Sequence, residues 1–185
     1  MSLSEETGSI LHFRTNIFYV IMQLTGEQIV SRRIIENVVP EAIQQQGVDV
    51  RIKSIDRVGG DGYIPAEGKT RRCPTTSISF DENGQVVLEP GWYDVTLEEK
   101  CEIPSNAVLN YKTRSSLVRC GATVYSGQFD GGFKTDNMGC FLEVRLPITV
   151  EKGTRIAQAV VTESYEVATD KLYNGQWQGD NQRAK

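Results

Sequence analysis

The chain has 185 residues, 39% of them apolar and 24% charged, with a formal net charge of −4. That length suits one domain with a sizeable core, and the composition is that of an ordinary globular protein. The acidic balance argues against a protein that coats nucleic-acid backbone, which needs an excess of Lys and Arg, but leaves room for a local basic pocket.

Single residue types narrow the chemistry further. Cys73, Cys101, Cys120 and Cys140 form no C-x-x-C pair, which argues against a zinc knuckle. Their wide spacing, with no secretory signal, suggests reduced thiols in a cytoplasmic protein. His12 is the one histidine, so a Ser-His-Asp triad and a multi-His metal site are both disfavoured. The H-x-E and P-C-x-x-C signature of zinc deaminases is absent, so any deamination here would run without zinc.

Residues 1–21 read as an N-terminal extension, an extra strand or arm. Their apolar run, residues 10–21, is interrupted by Arg14 and Asn16 and is too short to span a bilayer. It lacks the basic start and cleavage site of a signal peptide, so no membrane partner is expected. Residues 22–38 predict a helix, with Thr25 and Gln28 as a capping box and Ile29, Ile34 and Ile35 on its apolar face. Val48, Val50 and Ile52 alternate with Asp49 and Arg51, as in a half-buried strand. Asp49 is then either a solvated strand residue or a functional carboxylate. From residue 57 to 104, turn signals such as Gly59-Gly60-Asp61-Gly62 and Pro90-Gly91 separate short β-favouring runs at residues 77–80, 85–88, 92–97 and 107–111. Many short strands between turns predict an all-β sandwich, jelly roll or small barrel. Lys69-Thr70-Arg71-Arg72 is a basic run in a loop, either solvated or reaching a phosphate.

Residues 112–143 hold two polar clusters in otherwise strand-like sequence. Arg114, Ser115, Ser116 and Arg119 place guanidinium and hydroxyl donors together at a strand end, which suits an anion. Gly127, Asp130, Gly131, Gly132 and Phe133 place a carboxylate among glycines, where a ligand can approach the backbone closely. Glu143 is a further carboxylate after an apolar run. Donors for a phosphate beside a carboxylate suggest a nucleotide-processing site; a hairpin with polar turns is the alternative. In the strand at residues 155–161, alternation puts Gln158 on the face away from Ala157 and Ala159. Residues 172–185 are a polar tail carrying Tyr173 and Trp177, either fraying or folding over a ligand.

Taken in order, these segments resemble the dUTPase and dCTP deaminase superfamily. Gln46-Gly47-Val48-Asp49-Val50 looks like its A-G-x-D-L motif, and Arg114-Ser115-Ser116-Leu117 like R-S-[GS]-L. Residues 127–134 look like the uracil-pocket hairpin, and Gly153-Thr154-Arg155-Ile156-Ala157-Gln158 is close to G-x-R-I-A-Q. The resemblance covers about residues 22–182, so residues 22–171 are expected to be the nucleotide-binding domain. It implies a distorted β-barrel or jelly roll, a homotrimer with sites between subunits, and Mg²⁺ bridging a bound triphosphate.

The tail, Tyr173-Asn174-Gly175-Gln176-Trp177-Gln178-Gly179, is similar to the Y-x-G-x-Y-Q-G ending of deaminases and archaeal-type dUTPases. The short hairpin favours the dUTPase side, whereas Leu142-Glu143-Val144 matches the deaminases. The chain departs from both at Asp136-Asn137-Met138, a short insertion, and at Thr135, which replaces a usual glycine. The resemblance implies dUTP hydrolysis to dUMP and pyrophosphate with Asp130 as the catalytic carboxylate. Asp49 would bind a metal through water, and Arg114, Ser115, Ser116 and Gln158 would position phosphates. Gly127 and Phe133 would meet the base and sugar, and Tyr173 and Gln178 would close over them. The alternatives are dCTP deamination, with Glu143 shuttling protons and Arg119 holding the residues around the base, both activities together, or a non-catalytic nucleotide-binding relative.

Overall fold

The structure, a computed structural model, describes residues 22–163 and 168–180. The chain runs through β1 (Met22–Gln23), α1 (Gly26–Ser31), β2 (Ile35–Glu36), β3 (Ile43–Gln44), β4 (Gly47–Val58), β5 (Thr75–Ile78), β6 (Gln85–Leu88) and β7 (Gly91–Leu97). It continues through β8 (Lys100–Glu102), β9 (Ala107–Thr113), α2 (Ser115–Arg119), β10 (Ala122–Tyr125), β11 (Lys134–Thr135), β12 (Gly139–Val144), β13 (Ile148–Glu151) and β14 (Arg155–Glu163). The expected all-β class is therefore found, with two short α-helices among the described residues. The N-terminal extension and His12 lie outside the described residues.

β4 organises the fold. Its first half pairs antiparallel with β14, Asp49 opposite Gln158, and its second half pairs antiparallel with β7. A register shift between Ile52 and Ser54 bends it from one neighbour to the other. The main sheet runs β1-β14-β4-β7-β12-β10, and β9 also pairs with β14. The Thr113 hydroxyl accepts from the Val124 amide at 3.1 Å and donates to its carbonyl at 3.3 Å. That stitch joins β9 to β10 and closes the curl into a distorted barrel. Val48, Val50, Ile52, Val95, Leu97, Leu109, Leu142 and Ile156 are fully buried inside it. Each large aliphatic side chain so buried contributes about 1.5–3 kcal/mol relative to exposure.

The helix expected over residues 22–38 is corrected to Gly26–Ser31. The Thr25–Gln28 capping box forms as expected. The helix stops because Arg33 turns left-handed, with φ 55°. The Ile34 amide then reaches the Ile29 carbonyl, and the Arg33 amide reaches that of Val30, each at 3.0 Å. This 6→1, 5→2 pattern is a Schellman stop, and buried Ile29 and Ile34 supply its apolar contact. The polar cluster at residues 114–119 stands at a strand end, as expected, directly after β9. Ser115–Arg119 is a helix turn anchored by buried Leu117 and ended by Gly121 at φ +81°. None of the four cysteines is disulfide-bonded. No described helix is long and apolar enough to cross a membrane.

Candidate active site

Four motif residues meet where β4, β14 and the end of β9 come together. Asp49 is 3% exposed, which corrects the solvated-strand alternative: both faces of β4 are covered at this point. Its Oδ2 lies 3.3 Å from Arg114 Nε and 3.4 Å from Arg155 Nη1. Burial pushes the Asp49 carboxyl above its ordinary range, and the Arg114 and Arg155 charges pull it back. Gln158, half-buried, stands in register with Asp49 on one side and Lys112 on the other. Gly47 permits the close approach here, because a Cβ would lie 2.5 Å from the Ala159 carbonyl oxygen. Ser115 and Ser116 are exposed at the start of α2, immediately after Arg114.

The glycine-rich hairpin forms one wall of a cleft of about 730 Å³. Gly127, Gln128, Phe129 and Phe133 line it from this side. Open space faces the Cα of Gly127, so a ligand can reach its backbone. Asp130 begins a turn closed by the Phe133 amide on its carbonyl at 3.0 Å, with Gly132 at φ +87°. The Asp130 carboxylate is exposed and accepts from Gln128 Nε2 at 2.8 Å. Phe133 is not open to a ligand all round, being nine-tenths buried between Phe129 and Tyr173, with ring centroids 5.2 Å away on each side.

Glu143 sits apart from these groups on β12, with Tyr125 and Arg145. Its Oε2 accepts from Tyr125 Oη at 3.0 Å and from Arg145 Nη2 at 3.1 Å. The Arg145 and Tyr125 hydrogen bonds hold its carboxyl below the ordinary range. Arg119 is exposed in the last turn of α2 and does not line the cleft. Within one chain, then, Gly127, Phe133 and Tyr173 line the cleft, whereas Asp130, Arg119, Glu143 and the group of Asp49, Arg114, Ser115, Ser116 and Gln158 do not. The insertion at residues 136–138 is absorbed as a tight turn: Thr135, 5% exposed, bonds Asn137 through its hydroxyl, and Met138 is fully buried. Thr135 lines the cleft where the resemblance led one to expect glycine.

The tail lies on the hairpin. The Tyr173 amide donates to the Gly131 carbonyl at 2.9 Å, and Tyr173 Oη accepts from the Trp177 amide at 3.1 Å. Gln178 bridges the Lys134 amide and the Gly132 carbonyl at 3.0 and 2.9 Å. Sequence reasoning passed over Arg155 as a side chain. Strict alternation puts it on the apolar face with Ala157, but a register shift between Arg155 and Ala157 turns it to Asp49.

A family profile described as dCTP deaminase-like matches residues 23–164. The deoxyuridine 5'-triphosphate nucleotidohydrolase of Methanocaldococcus jannaschii is 33% identical over 151 residues, 80% of this chain and 95% of that protein. A probable enzyme of the same name from Aeropyrum pernix is 32% identical over 86% of this chain and 99% of its own length. The fold is similar to that of a 2'-deoxycytidine 5'-triphosphate deaminase from Agrobacterium tumefaciens, with TM-score 0.62 and 17% identity over 82% of this chain. This chain spans about half of that deaminase, 49% of its length. Matched over most of its length by the profile and by relatives at this identity, the chain belongs to the dCTP deaminase-like family.

Proposed function

We propose that the protein hydrolyses dUTP to dUMP and pyrophosphate. The observation that carries this choice is the unequal state of its two candidate carboxylates. Asp130 stands exposed at a glycine turn between cleft-lining residues, and among the described residues its carboxylate meets only the Gln128 amide. Glu143 is tied through Oε2 to a guanidinium and a phenol. These two bonds tether Glu143 more heavily than the single Gln128 bond tethers Asp130. The names of the archaeal relatives support the same reading. Deamination of dCTP is the second reading, supported by the family profile and the presence of Glu143 itself.

In this reading Asp130 orients or deprotonates the attacking water, or holds the deoxyribose 3'-hydroxyl beside it. Arg114, Ser115, Ser116 and Gln158 position the phosphates, the Gly127 backbone reads the base edge, and Phe133 supports the sugar side. Tyr173 and Gln178 hold the tail of residues 172–185 over the nucleotide. The donor set fits Mg²⁺ carried by the substrate: no group of three or more His, Cys, Asp or Glu able to hold a metal occurs among the described residues. Both guanidinium contacts of Asp49 fall on Oδ2, which leaves Oδ1 to take a metal-bound water. When bound, Mg²⁺ supplies charge neutralisation at the triphosphate. The test is purified protein with dUTP and Mg²⁺, products separated by chromatography. Equal amounts of dUMP and pyrophosphate are expected; intact dUTP would refute the proposal.

The proposal includes a homotrimer, with a neighbouring subunit completing the site, in the cytoplasm. Trp92, Tyr125 and Phe141 are exposed on the outer face of β7, β10 and β12, with the Trp92 and Tyr125 rings 5.4 Å apart. Tyr125 and Phe141 also line the cleft, so a subunit packed there would wall it. Light scattering at micromolar concentration is expected to give three times the chain mass; a monomer mass would remove the shared-site part of the account.

A further inference from the structure

The basic run Lys69-Thr70-Arg71-Arg72 belongs to an arm, residues 59–74, between β4 and β5. The arm folds on itself. Tyr63 and Arg71 exchange two backbone bonds of 2.9 Å, and Gly59 donates to the Pro74 carbonyl at 3.0 Å. Two of the run's three cations are paired within the chain. Arg71 pairs with Asp61 at 2.9 Å, and Arg72 pairs with Asp94, 3% exposed on β7.

The arm meets the tail. Gln176 Oε1 accepts from the Thr70 amide at 3.0 Å, and its Nε2 donates to the Thr70 carbonyl at 2.8 Å. The Arg72 guanidinium lies over the Trp177 ring, 5.9 Å from its centroid. Gln178, the next residue, is held by the hairpin on the other side of the cleft. Three successive tail residues are thus clasped between arm and hairpin. Arg72, Tyr173 and Trp177 all line the cleft they enclose.

We propose that the arm is a latch for the tail, and that Arg72 is a positioning residue for nucleotide turnover. Asp94 fixes the Arg72 guanidinium, the guanidinium fixes Trp177, and Trp177 with Gln176 fixes the segment that walls the cleft. The described residues 168–180 are all exposed or half-buried where their burial is given. The clasp therefore sets where the tail lies and adds little to the core. Its role in turnover rests on the dUTP reading above; its existence does not.

The chain has two tryptophans, so a Trp92→Phe background leaves Trp177 as the single reporter. Acrylamide quenching without nucleotide is expected to rise about threefold in Arg72→Gln. KM for dUTP should rise roughly two- to fivefold, the size of a solvent-exposed cation–π contact, with a smaller fall in kcat. Arg72→Lys, which keeps the cation, should recover part of both. Because Arg72 pairs with buried Asp94, its loss could disturb the fold. Gln176→Ala, in the tail itself, is the second variant and should move both readouts in the same direction. Quenching that stays unchanged in Gln176→Ala, or in Arg72→Gln shown folded by circular dichroism, overturns the latch. Raised quenching in a protein that leaves dUTP intact supports the latch and refutes the dUTP reading.

Discussion

Asp130→Asn is expected to abolish dUTP cleavage, while Glu143→Gln keeps most of it. Hydrolysis and deamination develop charge in different places and so need different carboxylates. Pyrophosphate release needs a base or an orienting acceptor beside the water at the α-phosphate. Asp130 has the exposure and the single light tether to Gln128 that this requires. Glu143 is held through Oε2 by Tyr125 and Arg145. Loss of a general acid–base group typically costs about 10²–10⁴-fold, far more than the loss of a surface tether. Initial rates of pyrophosphate release on the two variants decide it. A dead Glu143→Gln beside an active Asp130→Asn would assign the chemistry to the other carboxylate.

Arg51→Ala is expected to destabilise the fold at neutral pH by about 3–5 kcal/mol, the cost of leaving one member of a buried ion pair uncompensated. Glu99 is 0% exposed, and its carboxylate accepts from the Arg51 amide at 2.9 Å and from Arg51 Nε at 2.7 Å. Arg51 Nη2 also donates to the Asn37 carbonyl at 2.6 Å, tying β4 to the segment after α1. Burial raises the Glu99 carboxyl above its ordinary range, and Arg51 holds it back down. Without Arg51 the folded-state value rises further. A raised folded-state value means stability that is present below the unfolded pKa and is lost as pH rises through the folded one. The deficit of Arg51→Ala should therefore shrink between pH 7 and pH 5. Adding Glu99→Gln should recover part of it at pH 7. Urea denaturation at both pH values measures this; a deficit that is small or independent of pH would show that the pair does not anchor β4.

Much of this architecture was legible because it is local. Thr25 and Gln28 form their capping box from a four-residue pattern, and residues 85–88 pair as a strand over the limits of the β-favouring run between turn signals. What was not legible depends on long-range packing or on one irregular residue. Arg33, which is neither Gly nor Asn, takes the left-handed position that stops α1, so the apolar period of residues 29–35 reads as a longer helix than exists. Gly121 was a visible stop signal for α2, masked by the β-favouring sequence around it. At the site, alternation put Gln158 on the face away from Ala157 and Ala159, and the pairing sets it opposite Asp49. Alternation gave no sign that Arg155 joins them, because a bulge reverses the side chain's direction. The arm's grip on the tail spans 106 positions from Thr70 to Gln176, and no local pattern predicts such a contact.

The central claim is the choice between two reactions on two nucleotides, and one tube tests it. Purified protein with Mg²⁺ is given equal concentrations of dUTP and dCTP, and both nucleotides, dUMP, pyrophosphate and ammonia are followed over time. The account predicts that dUTP falls as dUMP and pyrophosphate rise in step, while dCTP persists and no ammonia is released. Loss of dCTP with release of ammonia, and dUTP accumulating, would contradict it and identify Glu143 as the working carboxylate.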